Sequence, residues 1–362
     1  MIALPVIACA MLAAIAQSQQ PPQADTTDVA LFLIGDAGVP RVGFEPVLAA
    51  LQREVAAAPG ERIIVFLGDN IYPRGLPDST DLAGRIEAER RLTVQVVAAE
   101  SSHAKTIFVP GNHDWDAERP DGLAAIRREA AYVRQISHNT VLFLPANGCP
   151  GPAVVDAGAR VRLLLLDTQW WLQAGPKPEG PPGSSGCPAA TSADVVDSIR
   201  THIATAGGRS VVVLAHHPIY SGGAHGEHWN IGDYLGSGPV LLLRRMVNSA
   251  QDFRNSVNTA MRQALSSAFD PLPPLLYVSG HDHGLQVLTG RPSAHEPLRY
   301  IVSGAGDYDH LDPTRRVDRT RWEQRASGYV RVDFYKSGTA RLAVHVVDAQ
   351  GGTKEAYTET LQ

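Results

Sequence analysis

Three continuous apolar runs, Val29 to Ile34, Arg62 to Leu67 and Lys105 to Val109, each end in a short polar loop and give way to helical spacing. The loops read Gly35-Asp36-Ala37-Gly38, Gly68-Asp69-Asn70-Ile71-Tyr72 and Pro110-Gly111-Asn112-His113-Asp114. The helices are expected over Pro46 to Ala58, Asp81 to Ala99 and Gly122 to Ile136. Strand, loop and helix three times over define βαβ units, and these require a parallel or mixed sheet covered by helices. Ligands of such sheets gather beyond the carboxyl ends of the strands, where all three loops lie.

The pattern continues. Strands are expected at Arg160 to Leu166 and at Ser210 to Leu214, which delivers Ala215-His216-His217-Pro218. Leu275 to Val278 is another, running into Ser279-Gly280-His281-Asp282-His283-Gly284. Helix is expected over Ala193 to Thr205 and, in amphipathic form, over most of Pro239 to Phe269, with a Pro/Gly/Ser loop from Gln173 to Ala190. Tyr300 to Val302, Gly328 to Tyr335 and Ala340 to Val347 close the chain as strands. There is no internal repeat, so residues 28–350 read as one domain between a polar linker at 17–27 and a C-terminal tail at 351–362.

Five strand-end loops therefore supply Asp36, Asp69, Tyr72, Asn112, His216, His281 and His283. Mixed oxygen and nitrogen donors suit two borderline cations, and one carboxylate can bridge them. Singly, each fragment is weak: Gly-Asp follows many strands, Asn-His is often a turn or cap, and a histidine pair in a loop is often only polar. Their order, each at the end of a strand, is what argues for a centre.

The bulk numbers exclude more than they assign. A formal net charge of -5 gives no global attraction to nucleic acid or anionic lipid, so a phosphate would be bound locally. Ile2 to Ala16 is apolar or small, with Ala14-Ile15-Ala16 fitting a signal-peptidase site, and 1–16 is expected to be a signal peptide, too short to span a bilayer. A buried first helix is the competing reading. No Lys or Arg precedes the run; with a start further upstream, Val6-Ile7-Ala8-Cys9 would resemble a lipoprotein box anchored through Cys9. Cys149 and Cys187 remain, either as a bridge of an exported protein or as two unrelated thiols.

Gly-Asp-x-Gly, Gly-Asp-Asn-x-Tyr, Gly-Asn-His-Asp, His-x-Pro and Gly-His-Asp-His, in this order, resemble the blocks of the calcineurin-like metallophosphoesterases. They are most similar to the purple acid phosphatase branch, in particular its small tartrate-resistant form. Most of that superfamily has a metal-binding His two residues after the first Asp, where this chain has Gly38; the purple branch uses a tyrosine three residues after the second Asp, where Tyr72 stands. The resemblance covers roughly residues 29–350. It implies a four-layer α/β/β/α sandwich of two mixed β-sheets flanked by helices, in which Asp36, Asp69, Tyr72 and His283 hold Fe(III) and Asp69, Asn112, His216 and His281 hold a divalent Fe, Zn or Mn. It also implies that His113 contacts phosphate and His225 sits near the leaving group. The implied protein is an exported, monomeric hydrolase of small phosphate monoesters acting by metal-bound hydroxide, with diesters or nucleotides as the alternative substrates and a non-catalytic metal-binding role as the remote one. The segment from His228 to Phe269 departs from the family pattern.

Other signals are read blandly. His217 is expected to support the site from behind, Trp170-Trp171 to pack under a loop, and Arg315, Arg316, Arg319, Arg321 and Arg325 to form a solvated loop. His228 and Trp229 are equally compatible with a pocket rim and with none. His202 and His345 read as helix-face and strand-face residues, and His103, His138, His295 and His310 carry no usable signal.

Overall fold

The computed structural model describes residues 25–361 apart from 118, 182, 227–248, 271 and 292–295. One seven-stranded sheet is built on four parallel strands, β1 (Thr27–Ile34), β2 (Glu61–Phe66), β3 (Lys105–Phe108) and β4 (Val141–Phe143). It continues on the other side of β1 through antiparallel β12 (Gly328–Tyr335), β13 (Ala340–Val347) and β14 (Thr353–Leu361). The second sheet has β6 (Val161–Leu165), β7 (Ser210–Leu214), β8 (Leu276–Ser279) and β10 (Arg299–Ser303) in parallel. Antiparallel β5 (Ala153–Ala157) flanks it on one side, and β9 (Leu285–Thr289) and β11 (Thr320–Gln324) on the other.

The apolar runs are continuous because their strands are buried on both faces. In β1, Val29, Leu31 and Leu33 pack toward the other sheet with Val212, Leu214, Val278 and Ile301. Ala30, Phe32 and Ile34 instead meet the apolar stripes of α1 (Pro46–Ala57) and α2 (Leu82–Ser101). The second sheet is covered in the same way by α5 (Ser192–Ala204) and α6 (Ser256–Ala268). Three cores between four layers give the expected α/β/β/α sandwich. The helices α3 (Gly122–Ile136) and the single turn α4 (Gln169–Leu172) complete the set among the described residues. Local chemistry starts the helices where the strands require them: Asp81 accepts from the Gly84 amide at 2.9 Å to cap α2, and Pro46 follows the Glu45 cap of α1.

Two expectations change. The residues set aside as a tail at 351–362 contain β14, which adds an edge to the first sheet, because Tyr357 packs against the inter-sheet core and Leu361 is buried. In the stretch expected to be helical from 239 to 269, the described part is helix only from Ser256, since Asn255 caps there through the Val257 amide. Residues 1–16 with Cys9, most of the linker at 17–27, and His228, Trp229 and His295 lie outside the described residues. Cys149 and Cys187 form a disulfide with Cα atoms 5.6 Å apart; closing a loop of 38 residues contributes roughly 4 kcal/mol on the chain-entropy account. Among the described residues no helix is long and apolar enough to cross a membrane.

Candidate metal centre

All seven donors sit just past the carboxyl ends of parallel strands: Asp36 after β1, Asp69 and Tyr72 after β2, Asn112 after β3, His216 after β7, and His281 and His283 after β8. The loops turn sharply enough that Asp36, Asp69 and His281 adopt left-handed φ values of 60°, 53° and 71°. Such conformations cost energy for residues with a side chain and cluster at functional sites. Gly68, at φ 90°, has no alternative: a Cβ there would lie 2.6 Å from His216 Nδ1.

The donors form two overlapping groups. In one, the Tyr72 hydroxyl lies 3.0 Å from Asp36 Oδ1, 3.1 Å from Asp69 Oδ2 and 2.9 Å from His283 Nε2. In the other, His216 Nε2 is 3.0 Å from Asn112 Oδ1 and 3.3 Å from both Asp69 Oδ2 and His281 Nδ1, and His281 Nδ1 is 3.1 Å from Asn112 Oδ1. Asp69 Oδ2 belongs to both. Asp36, Asp69, His216 and His281 are buried.

Outer partners aim the imidazoles. His216 Nδ1 donates to the Leu67 carbonyl at 2.8 Å, and His283 Nδ1 faces Asp312 Oδ2 at 3.1 Å, which leaves Nε2 of each turned to the centre. That division of the two ring nitrogens is the one metal-binding histidines use. The His281 amide donates to Asp36 Oδ2 at 2.8 Å and fixes the two loops together.

Electrostatics record the crowding. Burial opposes the charge of Asp69, but His216 and His113 outweigh it and hold the carboxyl well below its usual range. Burial likewise opposes the His216 cation, yet Asp69 lifts that imidazole to about 9. Burial, then the charges of Asp36 and Asp69, push the Tyr72 phenol well above its ordinary value. Burial and the neighbouring histidines, His225 first, push His281 well below. Acidic oxygens and imidazoles converge so tightly that they must share protons, and cations at the same points would satisfy all of them at once. The donor set thus fits a pair of metal ions.

His113 and His225 border this centre. The His113 amide donates to Asp69 Oδ1 at 2.8 Å, its Nδ1 lies 2.7 Å from the Pro73 carbonyl, and its Nε2 is 3.9 Å from Asp69 Oδ2. His225 packs its ring 4.4 Å from that of His281, with Nδ1 2.9 Å from Asp252 Oδ1. Both line a cavity of about 320 Å³ with Asp69, Asn112, His281 and His283. His217 has both nitrogens engaged, Nδ1 with Thr168 Oγ1 at 2.8 Å and Nε2 with Gln251 Oε1 at 2.6 Å, and so braces the wall. Trp170 is buried with its indole N–H on the Pro178 carbonyl, as expected for packing. The arginine stretch is more structural than a solvated loop: Arg319 pairs with Glu296 over the Tyr220 ring, and Arg321 lies 3.4 Å from Glu359.

Sequence reasoning missed Asp252, Gln251, Asp312 and His310. The first two precede α6, far from any motif, and the last two follow β10, whose carboxyl end opens on the same edge. The sequence carries no local signal for the latter pair, since it is the parallel pairing of β10 with β8 that brings their loop to the site.

Two mixed seven-stranded sheets with a carboxylate–histidine centre at their strand ends define a metallophosphoesterase. More particularly, the family model of the calcineurin-like phosphoesterases matches residues 30–285, and the chain belongs to that family. Among solved structures, the purple acid phosphatase PPD1 from yellow lupin (Lupinus luteus) seeds superposes with a TM-score of 0.59 and 14% identity over 92% of this chain and 54% of that one. GAP50, the anchor in the inner membrane complex of Plasmodium, superposes with a TM-score of 0.56 and 14% identity over 93% of this chain and 89% of that one. At this identity the likeness is one of fold. A comparison with curated proteins finds no match.

Proposed function

We propose that the chain is an exported di-metal phosphoesterase that hydrolyses phosphate monoesters in the manner of a purple acid phosphatase. The observation that carries this reading is the Tyr72 oxygen, within 3.1 Å of Asp36, Asp69 and His283 together. A phenol converging with two carboxylates and one imidazole is an anionic, oxygen-rich set suited to a trivalent cation, and we assign Asp36, Asp69, Tyr72 and His283 to Fe(III). Asp69 with Asn112 and the imidazoles of His216 and His281, which give up any proton when they bind metal, suits divalent Fe, Zn or Mn. Such a pair, when bound, neutralises phosphoryl charge and makes hydroxide available near neutral pH.

The chain's own side chains supply the rest. His113, with Nδ1 tied to the Pro73 carbonyl, keeps Nε2 for the phosphate. His225, with Nδ1 taken by Asp252, keeps Nε2 to protonate the departing alkoxide. The fixed wall of His217, Thr168 and Gln251 holds His281 in place from behind. Export is supported by the apolar residues 2–16 and by the Cys149–Cys187 bridge, which belongs in an oxidising compartment.

The test is hydrolysis of p-nitrophenyl phosphate against bis-p-nitrophenyl phosphate at acidic and neutral pH, with metal content measured on the same sample. Monoester preference is expected. Diester preference would move the assignment to phosphodiester or nucleotide substrates, and a metal-loaded protein inert to both would favour a non-catalytic metal-binding role.

A further inference from the structure

His310, isolated in the sequence from every motif, lies against the Tyr72–His283 half of the centre. Its ring centroid is 4.2 Å from that of His283, tilted by 42°, and 4.9 Å from that of Tyr72, edge-on at 89°. His113 covers Tyr72 from another loop at 4.4 Å. The phenol therefore packs against two imidazoles contributed by separate segments.

The segment carrying His310 is anchored at nearly every residue. Asp307 accepts from the Val39 amide, the Tyr308 amide donates to Glu45 Oε1 at 3.1 Å, and the Asp309 amide donates to Ser327 Oγ at 3.0 Å. The Asp312 amide donates to the His283 carbonyl at 3.0 Å, next to the Asp312 carboxylate on His283 Nδ1. A rigid loop thus presents one ring to two others. His310 Nδ1 is buried without a hydrogen-bond partner among the described residues, so ring packing and not a bond at this atom faces the centre. Aromatic χ2 torsions are broad, so the direction of a ring is set by what it packs against.

We infer that His310 is a positioning residue for the Tyr72–His283 half of the centre, fixing by ring packing the directions from which the phenol oxygen and His283 Nε2 reach their common point. This rests on the proposal that those two side chains hold the same cation.

The experiment measures metal content across a chelator series, together with the visible spectrum, for the purified wild type, His310→Ala and His310→Phe. Outer partners of metal ligands typically change affinity 10–100-fold. His310→Ala is expected to lose one cation at about 10–100-fold lower chelator concentration, with a weakened or displaced visible band, while His310→Phe, which keeps a ring, stays close to wild type. His310→Gln, polar but ringless, replaces the alanine variant if that one does not fold and is expected to behave like it. Wild-type metal retention in the ringless variants would overturn the inference, as would a Phe variant as deficient as they are. A wild type that binds no metal would overturn the parent proposal and this one together, before any variant is compared.

Discussion

Gly68→Ala tests whether the centre depends on the close approach of backbone and imidazole. The added Cβ would stand 2.6 Å from His216 Nδ1 and 2.8 Å from the Gly111 Cα, where ordinary contact begins at 3.4 Å. Because Gly111 is backbone in a loop shared with Asn112, the imidazole has to yield, by about 0.8 Å (3.4 minus 2.6). That breaks the 2.8 Å bond from His216 Nδ1 to Leu67 and turns Nε2 away from Asp69. Misplacement of a reacting group by 1 Å costs on the order of 10²-fold, so kcat/KM should fall by roughly 30- to 100-fold. Gly68 also has φ 90°, and a side chain there costs about 1–2 kcal/mol of stability. Gly43→Ala separates the two effects: Gly43 has φ 86° with nothing within 4 Å of a Cβ, so it should lose only the backbone cost of about 1–2 kcal/mol and keep its activity, while Gly68→Ala loses that and the cost of the clash. The assay is p-nitrophenyl phosphate hydrolysis with melting curves and metal content for both variants. Equal activity in the two would refute the reasoning, because the His216 position would then not limit the reaction.

Three further outcomes follow from the geometry. Tyr72→Phe removes the oxygen shared by Asp36, Asp69 and His283 and should abolish the visible tyrosinate band expected of an Fe(III) centre; absorbance of the iron-loaded variant checks it, and an unchanged band would contradict the ligand assignment. His225→Ala should slow esters with poor leaving groups by about 10²-fold or more while sparing p-nitrophenyl phosphate, whose leaving group needs little protonation; equal losses on both would remove His225 from the donor role. Glu54, although partly buried, is held near 2, below its ordinary 4.5, chiefly by the His345 imidazole, whose Nδ1 lies 3.2 Å from Oε2, and by the 2.6 Å hydrogen bond that Thr353 Oγ1 donates to Oε1. A carboxyl with a depressed folded value stabilises above about 4.5 and loses that contribution as pH falls toward 2. Glu54→Gln should therefore cost on the order of 1 kcal/mol at pH 7, a figure reduced for partial exposure, with the difference vanishing near pH 2 in urea melts.

What the sequence makes legible at this site, and what it hides, follows from where each residue gets its position. Asp36, Asp69, Asn112, His216 and His281 each follow a buried strand within a few residues, so one local pattern carries both the strand and the donor. Asp252, Gln251, His310 and Asp312 come from loops whose location is fixed only by long-range pairing: β10 beside β8 brings His310 to a tyrosine that is 238 residues earlier in the chain (310 minus 72). Edge strands were lost for a different reason. β11, Thr-Arg-Trp-Glu-Gln, and β14, Thr-Lys-Glu-Ala-Tyr-Thr-Glu-Thr-Leu, are charged and half exposed, as edges that resist further pairing must be, and that composition imitates a loop. The division has a functional consequence. On the proposed assignment strand ends set the metal donors, while Asp252, Asp312 and His310, from the loops at 249–255 and 307–312, contact His225, His283 and Tyr72 from outside. On the same assignment, substitutions in those two loops are expected to alter leaving-group dependence and metal retention without touching a donor, so that specificity and metal affinity would vary independently of the ligand set.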